Sequence, residues 1–515
     1  MKDVVCRDGA VVSPSPYAAQ AGADILRKGG NAMDAAVAAT LVECVTQPSN
    51  VQIGGYGGTA VFYSAKEKTA LSLDFDGYAP KAATPDMFVG KPAAVSERGY
   101  LGVVAPPIVR GLNALLEKHG TMSFADVAAE AHRLAEEGFP ATTALAASLS
   151  TLVAQADEDS VRAMMPDGVA PSEGEVYAQK DLANLIGRLR REGPEVFYSG
   201  DIPRAIASAV RKHGGILDET DFDVVQPIFG EPLSVNSGDC EVFSPCPPSG
   251  GLTSLEILNM MNLAEADMAE TDRYRLFIEA GRHAWADRLG LLGDPLFVDV
   301  PMTRLLSQDH AEAIFKRVQA GEAARFGGTD ASGGEHTIHL VTMDKQGNAV
   351  SLTATQGMSL GSYVAIPGLG LLLGNGMSRF DLEPGRPNSI APGKRMLHNM
   401  CPLLITRGGR PLCVTGLPGG RKIVNVAALM AYAITRLGST CGQAMEMPRF
   451  HVEGPEDALL DREDLVTRLK AECGADYPVK LASGIGGAVA GIIREPDAPD
   501  MLAASSFGSG CVASV

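Results

Sequence analysis

The sequence predicts an α+β protein in which helices cover antiparallel sheets. Three observations carry this. The opening third is helical, the middle of the chain carries more helices, and from residue 337 the apolar pattern switches to the two-residue alternation of strands. With 515 residues, 45% hydrophobic and only 5% aromatic, the chain can bury one large core or two to three smaller ones.

Taken in order, Pro16 to Leu26 has helical apolar spacing and stops at Gly29-Gly30. Asn31 then caps a second helix, Ala32 to Val45, with Asp34 in its first turn. The run GGYGG at 54–58 precedes a strand, TAVFY. It lacks the lysine and Ser/Thr of a phosphate loop, so close backbone packing is the better account of it. Helices occupy much of 111–215 and 253–320, among them YRLFIEAGRHAWADRLG. A polar, glycine-rich boundary near 320–336 leads to TIHLVTMD, a KQGN turn and AVSLTATQ, which together read as an antiparallel hairpin. Further strands are expected at LGLLLG, CPLLITR and CVTGL, with a buried helix from Val424 to Leu437.

The net charge of −17 and the scatter of basic residues argue against nucleic acid or an anionic membrane as a partner. No stretch has the length of a membrane span, and the N-terminus has no apolar core of the kind a secretory signal needs. Nine dispersed cysteines without a C-x-x-C pair predict a reduced, cytoplasmic protein, although a secreted form with its leader removed stays open.

Thr337 opens a strand directly after the glycine-rich GGEH. If the preceding peptide bond is strained, the threonine hydroxyl can attack its carbonyl, and hydrolysis of the ester frees a new α-amino group. Such an amine, with a pKa of about 8, can serve as base for its own hydroxyl. Alone, the feature is weak, because threonine is an ordinary β-former.

Four segments in order give it weight. GGNAMDAAVAATLVECVTQPSNVQIGGYGGTAVFY, then PPSGG with ADRLGLLGDP, then TIHLVTMDKQGNAVSLTATQG, then GLPGGRKI resemble the γ-glutamyltransferase family of N-terminal-nucleophile hydrolases from about residue 12 to the C-terminus. The resemblance implies a four-layer αββα sandwich. It also implies a self-cut between His336 and Thr337 that gives a large chain of 1–336 and a small chain of 337–515. Carried over, Thr337 is the nucleophile, Thr355 orients it, and Gly419 and Gly420 present amides to the oxyanion; read locally, Pro418-Gly419-Gly420 is an ordinary turn. No metal or organic cofactor is implied, the partner is a small-molecule amide, and further assembly of the heterodimer is left open.

The family's substrate contacts are altered. Asp76 stands where glutamyl-specific members carry an arginine, and Arg379 where they carry an aspartate. His398-Asn399 replaces a serine pair, and Gly357 replaces an asparagine. A guanidinium where an ammonium would sit repels a glutamyl head. Arg379 either forks onto a substrate carboxylate or pairs with Asp76, and His398 either contacts substrate or backs a residue that does. The stretch from Phe380 to His398 is shorter than in members with a lid, which favours an open cleft and hydrolysis over transfer. An oxamate-like or acylase-like substrate suits these changes, with γ-glutamyl transfer or glutathione hydrolysis as the alternative.

Three rival readings are weaker. Gly357-Met358-Ser359-Leu360-Gly361 fits G-x-S-x-G, but the stretch GSYVAIPGLGLLLG beyond Ser359 is strand-like and offers no helix for a nucleophile elbow. His336 and His339 fall on opposite faces of a strand, with no second cluster to complete a metal site. A degenerate, non-enzymatic family member is opposed by the intact Thr337, Thr355 and Gly419-Gly420.

Overall fold

The computed structural model describes residues 3–265, 267–326, 336–487, 489–495, 498, 500–508 and 510–515. The proposed cleavage loop before His336 therefore lies mostly outside the described residues.

The first strands and helices are β1 (Val4–Cys6), β2 (Gly9–Ser13), α1 (Pro16–Arg27), α2 (Ala32–Thr46), β3 (Gly57–Ser64) and β4 (Thr69–Asp76). After a helical stretch come β5 (Ile228–Gly230), β6 (Leu233–Ser237), β7 (Cys240–Ser244), α3 (Gly251–Met261) and α4 (Glu270–Leu291). The hairpin is β8 (His336–Asp344) and β9 (Ala349–Gly357). It is followed by β10 (Leu403–Arg407), β11 (Arg410–Gly416), α5 (Lys422–Arg436), β12 (Ala490–Arg494), β13 (Leu502–Ser506) and β14 (Cys511–Ser514).

Two seven-stranded sheets result, ordered β1-β13-β12-β11-β10-β7-β6 and β14-β2-β8-β9-β3-β4-β5. Side-chain alternation assigns their faces. On β8, Val341 and Met343 join Val61, Leu404, Val414 and Ile492 in a layer between the sheets. Ile338 and Leu340 point the other way, against α2, while α3 and α5 cover the outer face of the other sheet and α4 packs over them through Trp285 and Phe277, which meet Asn425 and Tyr432 of α5. Helix, sheet, sheet, helix is the αββα arrangement, each apolar face meeting another. Residues on both sides of position 336 contribute strands to both sheets, so the two parts of the chain are interleaved.

Most expected elements form within a residue or two of their expected ends. LGLLLG does not join either large sheet: only Leu371–Leu372 is extended, paired with Ala365–Ile366. Gly370, at φ +57°, turns the backbone out of the extended region just before it.

GGYGG packs as tightly as its composition implies. A Cβ on Gly54 would lie 2.2 Å from the Leu372 carbonyl oxygen, and one on Gly58 2.2 Å from the Phe75 ring.

Helix α2 carries a buried acid. Glu43 accepts hydrogen bonds from Ser13 Oγ at 2.5 Å and Ser15 N at 2.8 Å, while its buried Oε2 has no hydrogen-bond partner among the described residues. Burial outweighs those bonds and pushes the carboxyl up to about 7, from 4.5. Between these values the folded chain binds more protons than the unfolded one, so this site's contribution to stability falls as pH rises. Glu43→Gln is expected to match the parent near pH 4.5 and to exceed it at pH 8 by about 3 kcal/mol, measured by urea unfolding. Parallel pH profiles for the two proteins would show that Glu43 is not the titrating group.

Candidate active site

The polar end of the inter-sheet layer marks the site. Thr337, Thr355, Gly57 and Asp76 lie in register across β8, β9, β3 and β4, all on the inner face. The next rung is His339, Thr353, Thr59 and Asp74. Farther along the same face the rungs turn apolar, reaching Met343, Ala349 and Tyr63. A layer that is hydrophobic elsewhere has polar side chains only where chemistry can use them or partners satisfy them.

Thr337 Oγ1 is 3.0 Å from Thr355 Oγ1, whose hydroxyl donates to the His336 carbonyl at 2.8 Å and accepts from Gly357 N at 2.9 Å. A hydroxyl has one proton. With that proton on the His336 oxygen, the Thr337 hydroxyl is the donor in the pair, and its own lone pairs are left for attack. The bond before Thr337 sits at a β-bulge: His336 faces Gly357 while Thr337 faces Thr355, so Gln356 is the extra residue on β9.

The oxyanion candidates arrive on the facing sheet. His339, two residues beyond Thr337 on the same face, donates to or accepts from Thr353 Oγ1 at 2.9 Å. Burial pushes its imidazole down to about 3, so it is neutral. Its ring fills the place of a side chain at Gly416, where a Cβ would be 2.4 Å away. From Gly416 the chain runs through buried Gly419 and Gly420 into α5, whose first turn bonds to their carbonyls. Among the described residues neither glycine amide donates to a protein acceptor. Two buried amides without acceptors suit an incoming oxyanion.

Three of the residues expected at the substrate pocket, Asp76, His398 and Asn399, are linked beside the rung. Asp76 Oδ2 is 3.0 Å from His398 Nε2, both residues about 1% exposed. Asp76 therefore takes His398 as its partner. With Gly57 lacking a side chain, the Asp76 carboxyl leans over it, its Oδ1 only 2.5 Å from where a Cβ would be, toward Thr355. Burial, opposed by hydrogen bonding with Asp74 and by Arg395, pushes Asp76 up to about 7. Burial pushes His398 down to about 4, so near neutral pH the pair is a hydrogen bond to a neutral imidazole and not a full ion pair. Arg395 ties Asp74 (2.5 Å) to Asp294 (2.7 Å) behind it. Asn399 Oδ1 and the His398 carbonyl both accept from Arg288 Nη2 at 2.9 Å. Arg379 is buried in the turn Gly376–Arg379, close enough to influence Tyr56.

The serine-elbow reading fails on geometry: Ser359 is followed by a turn, with Leu360 at φ +60°, and then by Ala365–Ile366 instead of a helix. His336 and His339 have separate partners, Asn50 and Thr353. Arg288, Asp74, Arg395, Asp294 and Asn50 were not singled out from the sequence. Arg288 and Asp294 lie within ADRLGLLGDP and Arg395 just ahead of His398-Asn399, so position in those segments was the available signal.

Residues 18–510 match the family described as gamma-glutamyltranspeptidase. The chain belongs to that family. It is 32% identical over 477 residues to a glutathione hydrolase proenzyme of Bacillus subtilis, covering 87% of this chain and 81% of the relative. It is also 32% identical over 511 residues to an acylase ACY 1 proenzyme of a Pseudomonas species, covering 95% and 90%. Among solved structures, cephalosporin acylase from Bacillus halodurans superposes with a TM-score of 0.89 at 26% identity, over 100% of this chain and 97% of that one. Proteins similar to this chain thus carry names as different as glutathione hydrolase and cephalosporin acylase, so the shared fold does not fix the substrate.

Proposed function

We propose that this amide hydrolase of the gamma-glutamyltranspeptidase family cuts itself between His336 and Thr337 and then uses Thr337 to hydrolyse a small amide. The observation that carries the reading is the relay from Thr337 Oγ1 to Thr355 to the His336 carbonyl. In the first step Thr337 Oγ1 attacks the His336 carbonyl carbon, the C–N bond breaks, and the acyl group passes to oxygen as an ester. Water hydrolyses that ester, leaving a carboxylate on His336 and a free amine on Thr337. Because strands from both sides of the cut interleave in both sheets, chains 1–336 and 337–515 stay together.

In the mature enzyme the Thr337 amine takes the hydroxyl proton as Oγ1 attacks the substrate carbonyl, and it returns a proton to the departing amine. Gly419 and Gly420 amides receive the oxyanion, each such donor typically lowering the barrier by about 3 kcal/mol. Water then releases the acid. Neither step calls on a metal or organic cofactor.

On the acyl side, Arg379 receives a carboxylate, while Asp76, backed by His398, and Asn399, held by Arg288, shape the rest of the pocket. The Asp76–His398 bond supports this reading over one in which Asp76 neutralises Arg379. A small carboxylate-bearing amide, oxamate-like or acylase-like, fits best. The second reading, hydrolysis or transfer of γ-glutamyl groups, is favoured by the family's name and by glutathione hydrolase relatives such as that of Bacillus subtilis. Turnover of a panel of small carboxylate amides beside γ-glutamyl-p-nitroanilide decides between them: faster γ-glutamyl hydrolysis than any panel member would overturn the altered-pocket reading.

A further inference from the structure

The residue ahead of Thr337 is held by a loop that the hairpin does not supply. Asn50 lies half-buried between α2 and β3, and its Oδ1 is 3.1 Å from His336 Nδ1. Its side-chain amide nitrogen donates to Gln47 Oε1 at 3.1 Å, which fixes which end of the amide faces the imidazole. The carbonyl of the same residue accepts from Gln356 N at 2.9 Å. Gln356 is the extra residue of the bulge that sets Thr337 opposite Thr355. One residue therefore holds both flanks of the irregularity: the bulged strand through its main chain, and the residue donating the scissile carbonyl through its side chain.

We propose that Asn50 is a positioning residue for self-cleavage, clamping His336 so that its carbonyl meets the Thr355 hydroxyl and the Thr337 oxygen. The inference rests on the self-cleaving reading of Thr337 and deepens it. Asn50 touches neither reacting atom. It acts through the imidazole of His336, whose Nδ1–H it accepts, and so through the orientation of the peptide unit to which that side chain is attached. Geometry of this kind matters because intramolecular attack depends on holding the reacting groups in a near-attack arrangement. The side-chain bond serves the precursor alone. Once the bond is cut, the clamped carbonyl has become a carboxylate at the end of the large chain, and the mature reaction uses a carbonyl from substrate instead.

The test follows freshly synthesised full-length chain by intact mass and reads the half-time for appearance of the fragment beginning at Thr337. Asn50→Ala and His336→Ala are each expected to lengthen that half-time roughly five- to tenfold, the range of one neutral side-chain hydrogen bond. Their combination is expected to be no slower than either alone, because both remove the same contact. Asn50→Asp, which keeps an acceptor for Nδ1–H, restores a half-time near that of the parent. A loosened fold would not be rescued by aspartate, nor would it give non-additive effects with His336→Ala. Asn50→Ala cutting as fast as the parent, or effects that multiply in the double variant, overturns the clamp while the Thr337 reading stands. A parent chain that never cuts overturns both.

Discussion

Thr337→Ala is expected to remain a single 515-residue polypeptide and to lose amide hydrolysis by about four orders of magnitude or more, the scale set by removing a catalytic nucleophile. The substitution deletes the oxygen proposed to attack in both reactions at once. It leaves the backbone of β8, paired with β9 from His336 to Met343, undisturbed. Among the described residues the hydroxyl's one hydrogen bond is to Thr355, so the fold tolerates the change and the loss can be read as chemistry. Thr337→Ser keeps both the oxygen and the future amine, and is expected to cut and to turn over. Intact mass and N-terminal sequencing follow the first reaction, amide turnover the second. An alanine variant that is still cut before residue 337, or that hydrolyses at the parental rate, would move the nucleophile elsewhere and reopen the case for Ser359.

How much of this arrangement is legible in the sequence depends on how local its causes are. The hairpin is readable because TIHLVTMD and AVSLTATQ alternate with period two, and the structure gives the alternation its meaning: odd positions meet the other sheet and even ones meet helices. The tight packing of GGYGG is readable from composition, but its targets are not. Gly57 must be bare because the Asp76 carboxyl occupies its side-chain space, and that contact depends on a strand register that no local pattern encodes. The same holds for His339 against Gly416, which join opposite sheets. Asp76 can be recognised as a charge reversal, but not as the partner of His398, since Arg379 offers the more obvious opposite charge. The buried grouping of Asp74, Arg395 and Asp294 bears on the pairing: one guanidinium already serves two carboxylates there, and a neutral imidazole meets Asp76 Oδ2 without bringing a second charge to it.

Thr355→Val is expected to slow self-cleavage roughly a hundredfold, the usual cost of removing a donor from a developing oxyanion. Valine keeps the branched shape of threonine in a residue only 2% exposed, so the packing between the sheets survives and the hydroxyl alone is lost. Three bonds go with it: the donation to the His336 carbonyl, the acceptance from Gly357 N and the contact with Thr337 Oγ1. The first makes the largest difference, because that carbonyl oxygen gains negative charge as Thr337 attacks, and the donor becomes worth more in the transition state than in the ground state. Thr355→Ser retains all three bonds and is expected to cut at close to the parental rate. The two variants thus separate the hydroxyl from the methyl group. In the mature enzyme the oxyanion is proposed to face Gly419 and Gly420 instead, so Thr355→Val should depress turnover less than it depresses cutting. Equal losses in both reactions would mean that the Thr355 hydroxyl serves Thr337 itself and not the scissile carbonyl, and cutting at the parental rate would remove Thr355 from the relay.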